Sequence, residues 1–113
     1  MSQQPTLLIV DDTADNRLLL NMLLSDDYEI IEADSGKRCL ELVEESIPDL
    51  ILLDVKMPEM DGYEVCSKLR QQKETETLPI IFVSALDSTE ERLAGYEVGC
   101  DEYVIKPVDE EAL

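Results

Sequence analysis

The chain has 113 residues, 44 % of them hydrophobic, and carries 27 acidic against 9 basic side chains for a formal net charge of −18. That length suits one domain with a real core, and the charge argues against nucleic acid or an anionic membrane as a partner of this domain. Histidine is absent, and Cys39, Cys66 and Cys100 form no CxxC pair, which speaks against an ordinary zinc site and favours a reducing compartment.

Met1 to Pro5 has no basic region and no long apolar stretch, so it does not read as a secretory leader. No apolar run approaches the roughly 18 residues a membrane span needs, and a cytoplasmic location is expected. Residues 6–10 read as a first strand. Residues 15–25 read as a helix with Leu18, Leu19, Met22 and Leu23 on its apolar face. Tyr28 to Glu32 is a second strand, and Ser35 to Glu45 a second helix with Ser35 as N-cap. Pro48 and Asp49 separate it from a third strand at 50–53. A loop from Lys56 to Gly62 is punctuated by Asp61-Gly62. The spacing of Val65, Cys66 and Leu69 predicts a helix over 63–71, followed by a polar return at 71–77. Ile80 to Val83 is a fourth strand ending at Ser84. Ser88 to Val98 is a helix with Ser88 and Glu91 at capping-box spacing, stopped by Gly99. Tyr103 to Ile105 is a short fifth strand, and 109–113 reads as the first turn of a last helix. Strand alternating with helix predicts a doubly wound α/β domain, with a parallel sheet and helices on both faces. So little of the fifth helix is present that a cut from a longer chain is expected.

Charged residues end three of the apolar runs. Asp11 and Asp12 follow Leu7 to Val10, Asp54 follows Leu50 to Leu53, and Lys106 follows Tyr103 to Ile105 and precedes Pro107. In an open α/β sheet such positions gather at the carboxyl edge, where these folds bind ligands. Crowded carboxylates call for a cation, and magnesium favours oxygen ligands and bridges to phosphate. Asp54 is the candidate nucleophile, since aspartates form acyl phosphates. Lys106 is the candidate partner of the phosphoryl oxygens. Ser84 is a candidate hydroxyl donor to the phosphoryl group. Tyr103 reads either as packing or as a movable group. The 106–107 bond is a candidate cis proline bond. Neither GxxxxGK nor GxGxxG is present, which disfavours a nucleotide-binding enzyme.

Four stretches carry a resemblance: Leu8-Ile9-Val10-Asp11-Asp12, Leu52 to Gly62, Ile81-Phe82-Val83-Ser84-Ala85, and Gly99 to Pro107. In order and at this spacing, they resemble the receiver domain of two-component response regulators. The resemblance spans essentially the whole chain, 1–113, as a single receiver domain with the flavodoxin-like strand order 2-1-3-4-5. It implies a phosphorylation-controlled signalling domain that catalyses its own phosphorylation and dephosphorylation and is no metabolic enzyme. Asp54 looks like the acceptor of a phosphoryl group from a sensor histidine kinase or a histidine phosphotransfer protein. The resemblance makes Asp12 a direct Mg²⁺ ligand and Asp11 the holder of a metal-bound water, with Asp54 and the Lys56 backbone carbonyl completing the set. Lys106 looks like the lysine that pairs with the acceptor and then with its phosphoryl group. Ser84 and Tyr103 resemble the switch pair, Ser84 moving toward the phosphoryl oxygen and Tyr103 turning inward behind it. The face of the fourth helix, fifth strand and fifth helix would then repack, to form a homodimer or to engage an output.

Two other classes compete. A pseudo-receiver would have lost an acid or the lysine, and here all are retained. A haloacid-dehalogenase-like phosphatase would carry a second aspartate two residues after its nucleophile, where this chain has Lys56. The Asp15-Asn16-Arg17-Leu18-Leu19-Leu20 start of the first helix is similar to receivers attached to nucleotide-cyclase, phosphodiesterase or hybrid-kinase outputs.

Overall fold

The computed structural model of the chain describes residues 4–107. Its elements run β1 (Thr6–Val10), α1 (Ala14–Leu24), β2 (Glu29–Ala33), α2 (Gly36–Glu45), β3 (Leu50–Leu53), α3 (Gly62–Arg70), a short 3₁₀ turn (Lys73–Thr75), β4 (Ile80–Ser84), α4 (Thr89–Glu97) and β5 (Glu102–Ile105). The strands form one sheet in the order β2-β1-β3-β4-β5, and all four pairings are parallel. Each strand and helix predicted between residues 6 and 105 is present, its ends within one residue of the expected position. The expected first turn of a fifth helix, at 109–113, lies outside the described residues.

Strand alternation divides the core into two layers. Leu8, Val10, Ile51, Leu53, Ile80, Phe82 and Tyr103 pack with α2 and α3 residues such as Val43, Val65 and Leu69. Leu7, Ile9, Leu52 and Val83 face the other way, against Leu20 of α1. The central strands are thus apolar on both faces, as a doubly wound parallel sheet requires.

Local chemistry sets the helix starts. The Ser35 side chain accepts from the Arg38 N–H, and Ser88 and Glu91 form the full capping box, both as the sequence predicts. Asp61 caps α3 by accepting from the Glu64 N–H, a role hidden behind its reading as a turn residue. Gly99 has φ +102° and ends the α4 segment in the left-handed region.

The apolar face expected for α1 is corrected. Leu18, Leu19 and Met22 are exposed, and the residue this helix buries is Leu20, with Leu24 partly buried beside it. Leucines at 18, 19, 20, 23 and 24 surround the helix, so periodicity alone does not choose the face; contact with Leu7, Ile9 and Val83 does. Among the described residues, no helix is long and apolar enough to cross a membrane.

Candidate functional site at the carboxyl edge of the sheet

The register β1↔β3 aligns Val10 with Leu53, so Asp11 and Asp54 leave adjacent strands side by side. The Asp54 N–H donates to the Val10 carbonyl at 2.9 Å, and the Asp11 N–H to the Ala33 carbonyl at 3.2 Å, extending both ladders into the site. On the other side of β3, β4 brings Ser84 to the same edge. The Lys106 N–H donates to the Ser84 carbonyl at 2.9 Å, which fixes the start of the lysine side chain. The Lys106–Pro107 bond is cis.

Asp11, Asp12 and Asp54 each offer a carboxylate oxygen, and these atoms lie within 4.8 Å of one another. An all-oxygen donor set of three acids fits a hard divalent cation. Asp11 and Asp54 are buried, whereas Asp12 is exposed. Asp11 is fully engaged: Oδ1 accepts from the Thr13 N–H at 2.9 Å and Oδ2 from Lys106 Nζ at 2.9 Å. Asp54 Oδ1 accepts from the Val55 N–H at 2.8 Å, and Oδ2 lies 3.6 Å from Lys106 Nζ. Burial pushes the Asp54 carboxyl up to about 6 and Asp11 adds to this, while Lys106 and the Val55 hydrogen bond pull it back; Asp12 raises it further. The crowding is an electrostatic demand for positive charge.

Gly62 makes this geometry possible. Its N–H donates to the Val55 carbonyl at 2.7 Å, folding the loop after Asp54 back on itself. A Cβ at Gly62 would run into the Asp54 carbonyl oxygen and come within 2.9 Å of Val55 Cα. In the sequence Asp61-Gly62 carries only a turn signal; the close approach that requires the glycine comes from the fold. Lys56, in that loop, is exposed, and its carbonyl accepts no backbone hydrogen bond among the described residues.

Ser84 is buried, and its Oγ accepts from the Leu86 N–H at 3.2 Å. Tyr103 lies inward, 8 % exposed, with its hydroxyl donating to the Leu86 carbonyl at 2.8 Å. Its ring packs on Phe82, with centroids 5.9 Å apart. The two candidate switch residues therefore hold the same residue, Leu86, from opposite ends.

The three cysteines are buried and free. Burial raises the Cys39 thiol to about 12 and those of Cys66 and Cys100 to about 11, which leaves them protonated and unreactive.

A doubly wound sheet with an acid cluster and a lysine at its carboxyl edge defines a phosphorylation-controlled signalling domain. Its chemistry is phosphoryl transfer to and from the domain itself, not metabolic turnover. The family described as "Response regulator receiver domain" matches residues 7–113, and the chain belongs to that family. It is 40 % identical over 93 % of its length to part of "Histidine kinase P4" of Formosa agariphila, and 43 % identical over 93 % to part of the "Probable cyclic di-GMP phosphodiesterase" of Vibrio cholerae. The chain spans only 8 % and 24 % of those two proteins. The solved chemotaxis response regulator CheY4 of Vibrio cholerae superposes with a TM-score of 0.91 at 30 % identity, covering 97 % of this chain and 92 % of that one.

Proposed function

We propose that Asp54 accepts a phosphoryl group from a phosphohistidine of a sensor kinase or histidine phosphotransfer protein. The observation that carries this is the position of Lys106 Nζ, 2.9 Å from Asp11 Oδ2 and 3.6 Å from Asp54 Oδ2, beside three acids suited to one cation. An Asp54 carboxylate oxygen forms the new bond to phosphorus as the phosphorus–nitrogen bond of the donor breaks and the imidazole leaves. Lys106, already at the acceptor, is placed to follow the phosphoryl oxygens. Ser84 is the hydroxyl that turns to donate to one of them.

The cation is read as Mg²⁺, held by Asp12 and Asp54 directly, by Asp11 through water, and by the Lys56 carbonyl. In favour of this division, Asp11 already has both oxygens engaged within the protein, while Asp12 is exposed. When bound, magnesium would neutralise the crowded acids and the incoming phosphoryl oxygens.

Ser84 and Tyr103 are read as the switch pair, and the α4–β5 surface as the readout. Leu93 and Tyr96 of α4 are exposed, which suits a surface that engages a second copy or an output. Relatives carrying the matching stretch include a histidine kinase and a probable cyclic di-GMP phosphodiesterase. We read 1–113 as one receiver domain of a longer, cytoplasmic protein.

The test is intact-mass spectrometry after acetyl phosphate and Mg²⁺. A magnesium-dependent, hydroxylamine-labile gain of one phosphoryl mass, lost in Asp54→Ala, is the expected result. Persistent labelling of the variant at unchanged stoichiometry would sink the assignment.

A further inference from the structure

Gly95 lies inside α4 and is buried. Glycine is the poorest helix former after proline, and no positive φ accounts for it here, since Gly99 is the positive-φ glycine of the described chain. The space around it does. A Cβ at Gly95 would come 3.0 Å from Cδ2 and 3.3 Å from Cε2 of Tyr103, and 3.2 Å from Cδ2 of Phe82. All three are tighter than ordinary carbon contacts.

One of the two rings has to yield, and their surroundings decide which. Phe82 is fully buried in interior strand β4. Tyr63 packs edge-on against it at 5.4 Å, and Phe82 Cε1 lies 2.9 Å from the place of a Cβ on Gly62. Phe82 is thus pressed between two glycines and has nowhere to go. Tyr103 belongs to edge strand β5 and is 8 % exposed, against none for Phe82, so it is the ring with an outward path.

We propose that Gly95 is a positioning residue that keeps open the slot for the inward ring of Tyr103, so that a methyl group there turns the ring outward. The consequence reaches the phosphorylation site through one residue. The Tyr103 hydroxyl donates to the Leu86 carbonyl, and the Leu86 N–H donates to Ser84 Oγ. Turning the ring outward frees one end of the β4–α4 loop that orients Ser84. This last step rests on the reading of Ser84 and Tyr103 as the switch pair; the slot itself does not.

The test compares Gly95→Ala in the 113-residue chain and in the same chain carrying Tyr103→Ala (or Tyr103→Leu, should the first be too unstable). Ring-labelled tyrosine NMR, assigned with Tyr103→Phe, reads the orientation, and thermal melting reads the fit. In the wild-type background, Gly95→Ala is expected to move the Tyr103 ring signals to solvent-exposed values and to lower Tm by a few degrees. In the Tyr103→Ala background it is expected to raise Tm, because the slot is empty and alanine is the better helix former. Should Gly95→Ala alone fail to fold, recovery in the double variant supports the proposal and failure of both overturns it. Unchanged Tyr103 signals, or a Tm shift of the same sign in both backgrounds, also overturn it. The rate of Asp54 phosphorylation by acetyl phosphate separates the two readings. A severalfold change in Gly95→Ala supports the link to Ser84. A moved ring at unchanged rate keeps the slot and removes Tyr103 from the switch.

Discussion

Lys106 makes its hydrogen bond to Asp11, at 2.9 Å, and stands further from Asp54, at 3.6 Å. The lysine thus neutralises the most buried acid of the cluster while remaining within reach of the acceptor. Phosphorylation of Asp54 brings new oxygens carrying more charge, and a short movement of Nζ is enough to meet them.

Asp54 gives the metal-free domain a measurable pH dependence. Its carboxyl is raised from 3.8 to about 6 in the folded chain, by burial first and Asp11 second. The folded state therefore holds more protons than the unfolded state between those values. The stability tied to protonated Asp54 is fully present below about pH 4 and is lost as pH rises through about 6. At about 1.4 kcal/mol per unit, the loss is at most about 3 kcal/mol. In chelator, Asp54→Asn is expected to be more stable than the wild type at pH 7, with the gap closing toward pH 4. Urea melts across that range check it; a gap independent of pH refutes it.

Asp11→Asn removes the like charge that raises Asp54 and frees Lys106 to pair with it. The Asp54 carboxyl is expected to titrate lower than in the wild type, by carboxyl-carbon NMR in chelator. An unchanged or higher midpoint contradicts the arrangement in which Lys106 stands between the two acids.

Asp12→Ala is expected to weaken Mg²⁺ binding more than Asp11→Ala, because Asp11 is already occupied by Thr13 and Lys106. The chain has no tryptophan, so titration calorimetry is the direct measurement. Equal affinities in the two variants would refute the division between direct and water-mediated ligands.

Lys106→Met leaves Asp11, which is 2 % exposed, without its ion pair. A loss of about 2–3 kcal/mol is expected in chelator, partly recovered on adding Mg²⁺. Chemical denaturation with and without the metal checks both parts. Recovery to wild-type stability without metal would show that the pair contributes nothing.

Gly62→Ala drives a methyl group into the Asp54 carbonyl oxygen. Backbone has no rotamer by which to escape, so the loss is expected at the upper end of the overpacking range, about 3 kcal/mol or more. Phosphoryl uptake should fall with it. A stable, fully labelled variant would show that the loop after Asp54 moves freely.

Much of this was legible in the chain. The strands at Leu7 to Val10 and Leu50 to Leu53 announce themselves as apolar runs, and Ser35 and Ser88 as caps, because both signals are local. The acids at the ends of two of those runs, with Lys106 at the end of a third, were enough to gather a site. The Asp61 cap was present as Asp61 followed by Glu64 and was masked by the glycine between them. The face of α1 was not legible, since its leucines surround the helix and leave Leu18, Leu19 and Met22 exposed.

The sequence by itself determined the element order, the parallel α/β class and the identity of the candidate site residues. The elements follow from periodicity, capping and punctuation within a few residues, and the site residues from charges at strand ends together with the resemblance to receiver domains. Only the tertiary structure decided that Lys106 bonds Asp11 before Asp54, that Leu20 is the buried residue of α1, that Gly62 admits the Asp54 carbonyl, and that Gly95 admits the Tyr103 ring. Each of these is a steric or electrostatic choice between residues distant in the chain. No local pattern encodes it, because the choice exists only once the sheet has set which side chains are neighbours.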